Sequence, residues 1–200
     1  MGIIFSLIVI LFSAIIHEYL HGWMADRLGD PTAKDEGRLT LNPVAHIDLW
    51  GSILMPALIY FATAGGLIFG YAKPVPFNPY NLRDQKYGSA KVAAAGPLAN
   101  LITALFFGLI LRFYPMDNPT LSSLLAIIVQ INLVLMVFNL VPLPPLDGSK
   151  VIMPFLPYSW QQGLANLERY GFTLVLIFIL FGFPLIIPII SFLFNLIVGA

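Results

Sequence analysis

The chain has 200 residues, of which 58% are hydrophobic and only 10% charged, against about 25% charged in soluble domains. With a mean hydropathy of +0.87, this excludes an ordinary soluble protein. Basic and acidic side chains balance at 10 each, so nothing recommends nucleic acid or an acidic partner, and the lack of cysteine excludes disulfides and thiolate-bound metal.

The expectation is a single all-α integral membrane domain over residues 1–200, with its core in 3–150. A membrane span needs about 20 apolar residues, and five apolar blocks meet or approach that length. The first covers residues 3–24. It lacks the positively charged start and the cleavage site of a secretory signal, so it reads as a retained helix, as in a prokaryotic plasma membrane protein.

Inside that block stands "FSAIIHEYLHGW", residues 12–23. A charge at mid-bilayer costs about 2.5–3.5 kcal/mol, so His17, Glu18 and His21 require an interior setting and a partner. Helix positions four apart differ by about 40° around the axis. His17 and His21 therefore share a face and can reach one ion. Glu18, about 100° round from His17, stands beside that ion, where a base acting on water belongs. This is the H-E-x-x-H arrangement, and one Zn2+ is the expected cofactor.

The polar connection 25–48 follows. It carries Glu36 and then His46, the third and last histidine. His46 reads as a residue lining the site, as an alternative ligand, or as a structural hydrogen-bonder where a loop meets a helix. Asn42 and Pro43 read as a turn, and Asp48 as a cap for block two, residues 49–71. "YAKPVPFNPYN", residues 71–81, has three prolines and no helical period. It reads as an edge-type strand or hairpin lining the site, or as a proline-rich surface loop.

Block three, 90–113, contains Gly96-Pro97, which would let this helix bend and approach its neighbours. Asn100 and Asn132, in blocks three and four (121–141), are costly in lipid and should face the interior, as helix–helix glue or as site residues. After block four comes "FNLVPLPPLDGSK", residues 138–150. Its prolines must end or unwind the helix, and Gly148 permits a tight turn after Asp147. The result is a carboxylate on irregular backbone, which membrane depth tolerates only where it is buried in protein or lines a cavity. A catalytic zinc needs three protein ligands and a water. Asp147 is a more specific third ligand than Glu36. Block five, 172–198, is interrupted by Pro184 and Pro188 and reads as one kinked pass or a hairpin. The whole is a bundle of about five to six membrane helices or half-helices, with a short re-entrant or β-hairpin segment near the active site.

"HEYLH" and "NLVPLPPLDG" together resemble the site-2 protease family of intramembrane zinc metalloproteases, whose motifs are H-E-x-x-H and N-x-x-P-x-P-x-x-D-G. "AGPLAN", residues 95–100, looks like the Gly-Pro segment between them. The likeness spans roughly residues 3–150 in the family's order. It implies His17, His21 and Asp147 as zinc ligands, Glu18 as catalytic base, and Asn139 as the Asn that helps hold substrate or the oxyanion. The chain resembles a small member without a PDZ-type domain, and departs from the minimal core by carrying block two.

If one ion is shared, the C-terminal ends of helix one and helix four lie on one membrane side, so these helices run parallel and an odd number of crossings separates them. Blocks two and three cannot then both be simple spans; block two enters and the chain returns before block three. Eight basic residues then fall on the active-site side and Arg112 on the other, with Lys73 undecided. That bias places the site end in the cytoplasm. The expected activity is endoproteolysis of membrane-spanning or membrane-proximal protein segments, with that substrate and the lipid bilayer as partners. The rival readings are a non-proteolytic metal-binding membrane protein (an ion carrier or inactive scaffold) and a soluble-type protease on an anchor.

Overall fold

The computed structural model describes residues 2–47, 54, 61, 73–114 and 117–199. Its elements are α1 (Gly2–Arg27), α2 (Thr32–Asp35), α3 (Gly88–Phe113), α4 (Pro119–Asn139), α5 (Asp147–Ile152), α6 (Tyr158–Glu168), α7 (Gly171–Ile177) and α8 (Phe183–Val198). There is no strand among the described residues. The protein is all-α. Four of its helical stretches, α1, α3, α4 and Gly171–Val198, are long and apolar enough to cross a membrane. Block two and the cap assigned to Asp48 lie outside the described residues.

Helix ends follow local chemistry. At the start of α4, Asn118 Oδ1 accepts from the amides of Thr120 and Leu121, and Pro119 occupies the first turn, where its missing N–H costs nothing. Before α3, Asp84 accepts from the amides of Lys86 and Tyr87 and pairs with Lys91 at 2.6 Å. The Lys91 ammonium holds that exposed carboxyl below its ordinary range. Block five is one helical stretch. Pro184 cannot return an N–H to the carbonyl of residue 180, and the helix widens there into a π turn, Phe178–Gly182.

Lipid offers no hydrophobic gain for bringing helices together, so membrane helices associate through close backbone approach and polar contacts. α3 is built for this. Gly96, Asn100, Ala104 and Gly108, four residues apart, form one buried stripe. The stripe lets α3 sit among α1, α4 and α8; a Cβ at Gly108 would collide with Ile197 of α8. Around that contact Leu133, Val137, Ile186 and Ile190 form the main apolar core.

α1 and α4 both run towards one end of the bundle, and α3 runs back from it. Residues 28–47 and 73–87 flank the undescribed stretch at that same end. They are joined by Lys73 N–H to His46 O at 3.0 Å and by Arg83 N–H to Leu28 O at 2.9 Å. The parallel arrangement of the first and fourth apolar blocks expected from a shared ion is therefore what α1 and α4 adopt. Gly171 abuts Pro145 at this end, and Arg112 marks the other end, donating to Leu196 O at 2.8 Å. Lys73, undecided from sequence, belongs to the first end, so among the ten Lys and Arg Arg112 alone lies opposite.

Candidate metal centre

His17 and His21 stand one turn apart on α1, with ring centroids 4.6 Å apart. Asp147 reaches them from the first residue of α5. The prolines after α4 leave residues 140–146 irregular, but Asp147 itself opens a short helix. Gly148 serves a different end from the expected turn: a Cβ there would strike the carbonyl oxygens of Leu140 and Val141, so glycine lets α5 fold back tightly against the end of α4.

Three atoms converge. His17 Nε2 lies 3.0 Å from His21 Nε2, and Asp147 Oδ2 lies 3.1 and 3.2 Å from the two nitrogens. Among the described residues, these three side chains form the group of His, Asp and Glu able to hold a metal ion. A tetrahedral zinc with bonds of about 2.0–2.2 Å separates its ligand atoms by about 3.3 Å, close to this spacing.

The opposite edges of the rings decide which atoms face inward. His21 Nδ1 lies 2.7 Å from the Val92 carbonyl. A carbonyl only accepts, so Nδ1 carries the proton and Nε2 presents a lone pair. His17 Nδ1 lies 2.6 Å from Asn100 Oδ1. The Asn100 amide is oriented by its other end, which donates to Asn132 Oδ1 at 2.9 Å and to Ser13 O at 3.4 Å. Asn132 in turn donates to Ser13 Oγ at 3.0 Å. Two imidazole lone pairs and a carboxylate oxygen thus face one another at about 3 Å, a donor set that suits a divalent cation. Beneath them a Cβ on Gly96 would overlap both Nε2 atoms, so the α3 backbone forms a floor that only glycine permits.

Glu18 is half-buried and lines the same cavity of about 180 Å³ as the three converging residues and Asn139. Glu18 Oε2 accepts from the Val75 amide at 2.8 Å. Residues 73–78 form neither helix nor strand, and Pro74, Val75 and Phe77 among them line the site. Gly22, one residue past His21, lets them lie flat on α1, since a Cβ there would come within 2.8 Å of Val75 Cγ1. Asn139 ends α4 facing the cavity while its amide donates to Leu135 O at 2.9 Å.

His46 is not brought into the cluster. It is buried, with Nε2 donating to the Thr40 carbonyl at 2.7 Å. Glu36 lies exposed at the end of α2.

Sequence reasoning missed several supports of this centre. Asn100 and Asn132 are helix glue, but Asn100 also sets the tautomer of His17; the only signal was an amide in mid-span. The Val92 carbonyl and the Val75 amide left no side-chain signal. Asp30 gave none either. It is fully buried, and although burial pushes its carboxyl up, hydrogen bonds from Thr32, Asn81 and Asn78 outweigh that and hold it below the ordinary value.

No family model matches the chain, and no solved structure does. Among curated proteins, it is 39% identical over 189 residues to "Putative zinc metalloprotease YwhC" of Bacillus subtilis, covering 90% of this chain and 81% of that protein. It is 30% identical to "Putative zinc metalloprotease MJ0611" of Methanocaldococcus jannaschii, over 88% of this chain and 81% of that one. "Putative zinc metalloprotease Rip2" of Mycolicibacterium smegmatis is 32% identical, but the match spans 64% of that longer protein. With such identity across most of two of these proteins, the chain belongs to their zinc metalloprotease family, the site-2 protease family that its motifs resemble.

Proposed function

We propose that this protein is an intramembrane zinc endopeptidase that cleaves membrane-spanning or membrane-proximal segments of other membrane proteins. The observation that carries this reading is the convergence of His17, His21 and Asp147 on one point beside Glu18, in helices apolar enough to lie in a bilayer. The two imidazoles and the carboxylate would hold one zinc. The chemistry zinc supplies at such a site is Lewis-acid activation of water and of the scissile carbonyl. Glu18 accepts the proton of the attacking water and delivers it to the departing amide nitrogen. Asn139, at the cavity wall, holds the substrate or its developing oxyanion. A helical substrate hides its carbonyls, so it must unwind locally to present one to the cavity.

Glu18→Gln in purified, zinc-loaded protein tests the reading. The expected outcome is full zinc content with cleavage reduced by at least ~100-fold, the lower range for a positioned general base. Cleavage retained in the variant would show that Glu18 is not the base, and no cleavage by the zinc-loaded wild type would favour a non-proteolytic metal-binding protein.

The basic residues gathered at the site end support an orientation with that end in the cytoplasm. Because the chain has no cysteine, single cysteines at Asp35 and Asp117 can be labelled cleanly in intact cells. Asp117 should react with an impermeant maleimide and Asp35 should not. Equal labelling of both would refute the topology, and reversed labelling would refute the orientation.

A further inference from the structure

Residues 73–78 read KPVPFN. Pro74 and Pro76 carry no N–H, and a residue before proline is driven to extended backbone. Lys73 and Val75 are therefore extended by sequence alone, and Val75 keeps the single amide proton between Lys73 and Phe77. That proton goes to Glu18.

A strap of this kind has no helix or strand ladder to locate it. Besides the Lys73 amide's bond to His46 O and the seat of Val75 on Gly22, it is held by two buried charged side chains in the connection after α1. At one end the Arg38 guanidinium, 8% exposed, donates from Nη2 to the carbonyls of Lys73 (2.9 Å) and Pro74 (3.2 Å). At the other end Asp30, 0% exposed, accepts from the Asn78 amide at 2.6 Å and from Asn81 Nδ2 at 2.8 Å. Burying a charge is costly unless it is well partnered. Arg38 takes two strap carbonyls as partners, and Asp30, which also accepts from Thr32, takes the strap's Asn78 amide, on either side of the one amide that meets Glu18.

We propose that Asp30 and Arg38 are positioning residues for Glu18. They clamp the strap so that the Val75 amide fixes one carboxylate oxygen and turns the other towards the water it deprotonates. The proposal rests on the protease reading for what Glu18 does, but the clamp itself can be read without cleavage.

The test uses the full-length chain in detergent, zinc-loaded, as wild type, Asp30→Asn, Arg38→Met and Arg38→Lys. Amide hydrogen exchange at Val75 is followed by NMR on valine-labelled protein, and cleavage is followed with fluorescein-labelled casein. Asp30→Asn and Arg38→Met should each speed Val75 exchange at least ~10-fold, because opening of the strap becomes cheaper. Each should lower kcat by at least ~10-fold with KM and zinc content unchanged, since a misplacement of about 1 Å costs up to ~100-fold. Arg38→Lys, which keeps a cationic donor, should restore both towards wild type. The proposal is overturned if Val75 exchange stays within about twofold of wild type, if kcat is unchanged despite faster exchange, or if zinc is lost in step with kcat. Should wild type cleave casein above the no-protein background and Glu18→Gln cleave it equally, Glu18 is not the base and has no reaction to be positioned for; Val75 exchange then still reports whether the clamp exists.

Discussion

Replacing Asn100 by leucine isolates the support behind the metal centre. Asn100 is fully buried and touches neither the cavity nor the converging atoms; it meets His17 only at Nδ1. Leucine, of similar size, would strand two buried groups: the Nδ1–H of His17 and the Oδ1 of Asn132. Each unpaired buried group costs about 1–3 kcal/mol, so the fold loses roughly 2–6 kcal/mol, a large share of the 5–15 kcal/mol typical of a domain. Loss of the group that orients a ligating histidine lowers metal affinity about 10- to 100-fold, or about 1.4–2.7 kcal/mol. Zinc affinity is measured by chelator competition, and stability by thermal melting in the same detergent. Asn100→Asp separates the two effects. It keeps an acceptor for His17, so zinc binding should survive, while a carboxylate facing Asn132 Oδ1 should still lower the melting temperature. If Asn100→Leu remains folded and binds zinc within about twofold of wild type, the amide does not set the His17 tautomer and contributes nothing to the metal affinity of this centre.

Gly96→Ala should prevent metal binding altogether, because the new Cβ overlaps both Nε2 atoms and the α3 backbone cannot recede from a packed bundle; normal zinc stoichiometry in the variant would show that the floor yields. Asp30 makes stability depend on acid. Its folded carboxyl is held below its ordinary value, so its contribution is complete above about pH 4, the unfolded value, and disappears as pH falls through the lower folded one. Thermal melting against pH should therefore show Asp30→Asn less stable than wild type at neutral pH, with the gap closing below about pH 4; a gap independent of pH would contradict this.

Much of the protein was legible in its sequence because membranes make sequence rules strict. Apolar length marks α1, α3, α4 and the last helical stretch, since backbone in lipid must satisfy its own hydrogen bonds. His17, Glu18 and His21 declared themselves because three polar side chains on one turn are intolerable in lipid without a shared purpose. Asp147 could be singled out because prolines end α4 just before it. Whether these groups share one point was a question of tertiary structure, because residues 130 apart in sequence meet only through the packing of α1, α3 and α4. Tertiary structure alone also assigned the supports. A backbone carbonyl at Val92, a backbone amide at Val75 and the missing Cβ of Gly96 carry no side-chain signature, and their roles arise only when another helix arrives beside them. His46 shows the converse: its chemistry fits a ligand as well as that of His17, and only its position in the fold, bonded to Thr40 away from the cluster, distinguishes the two.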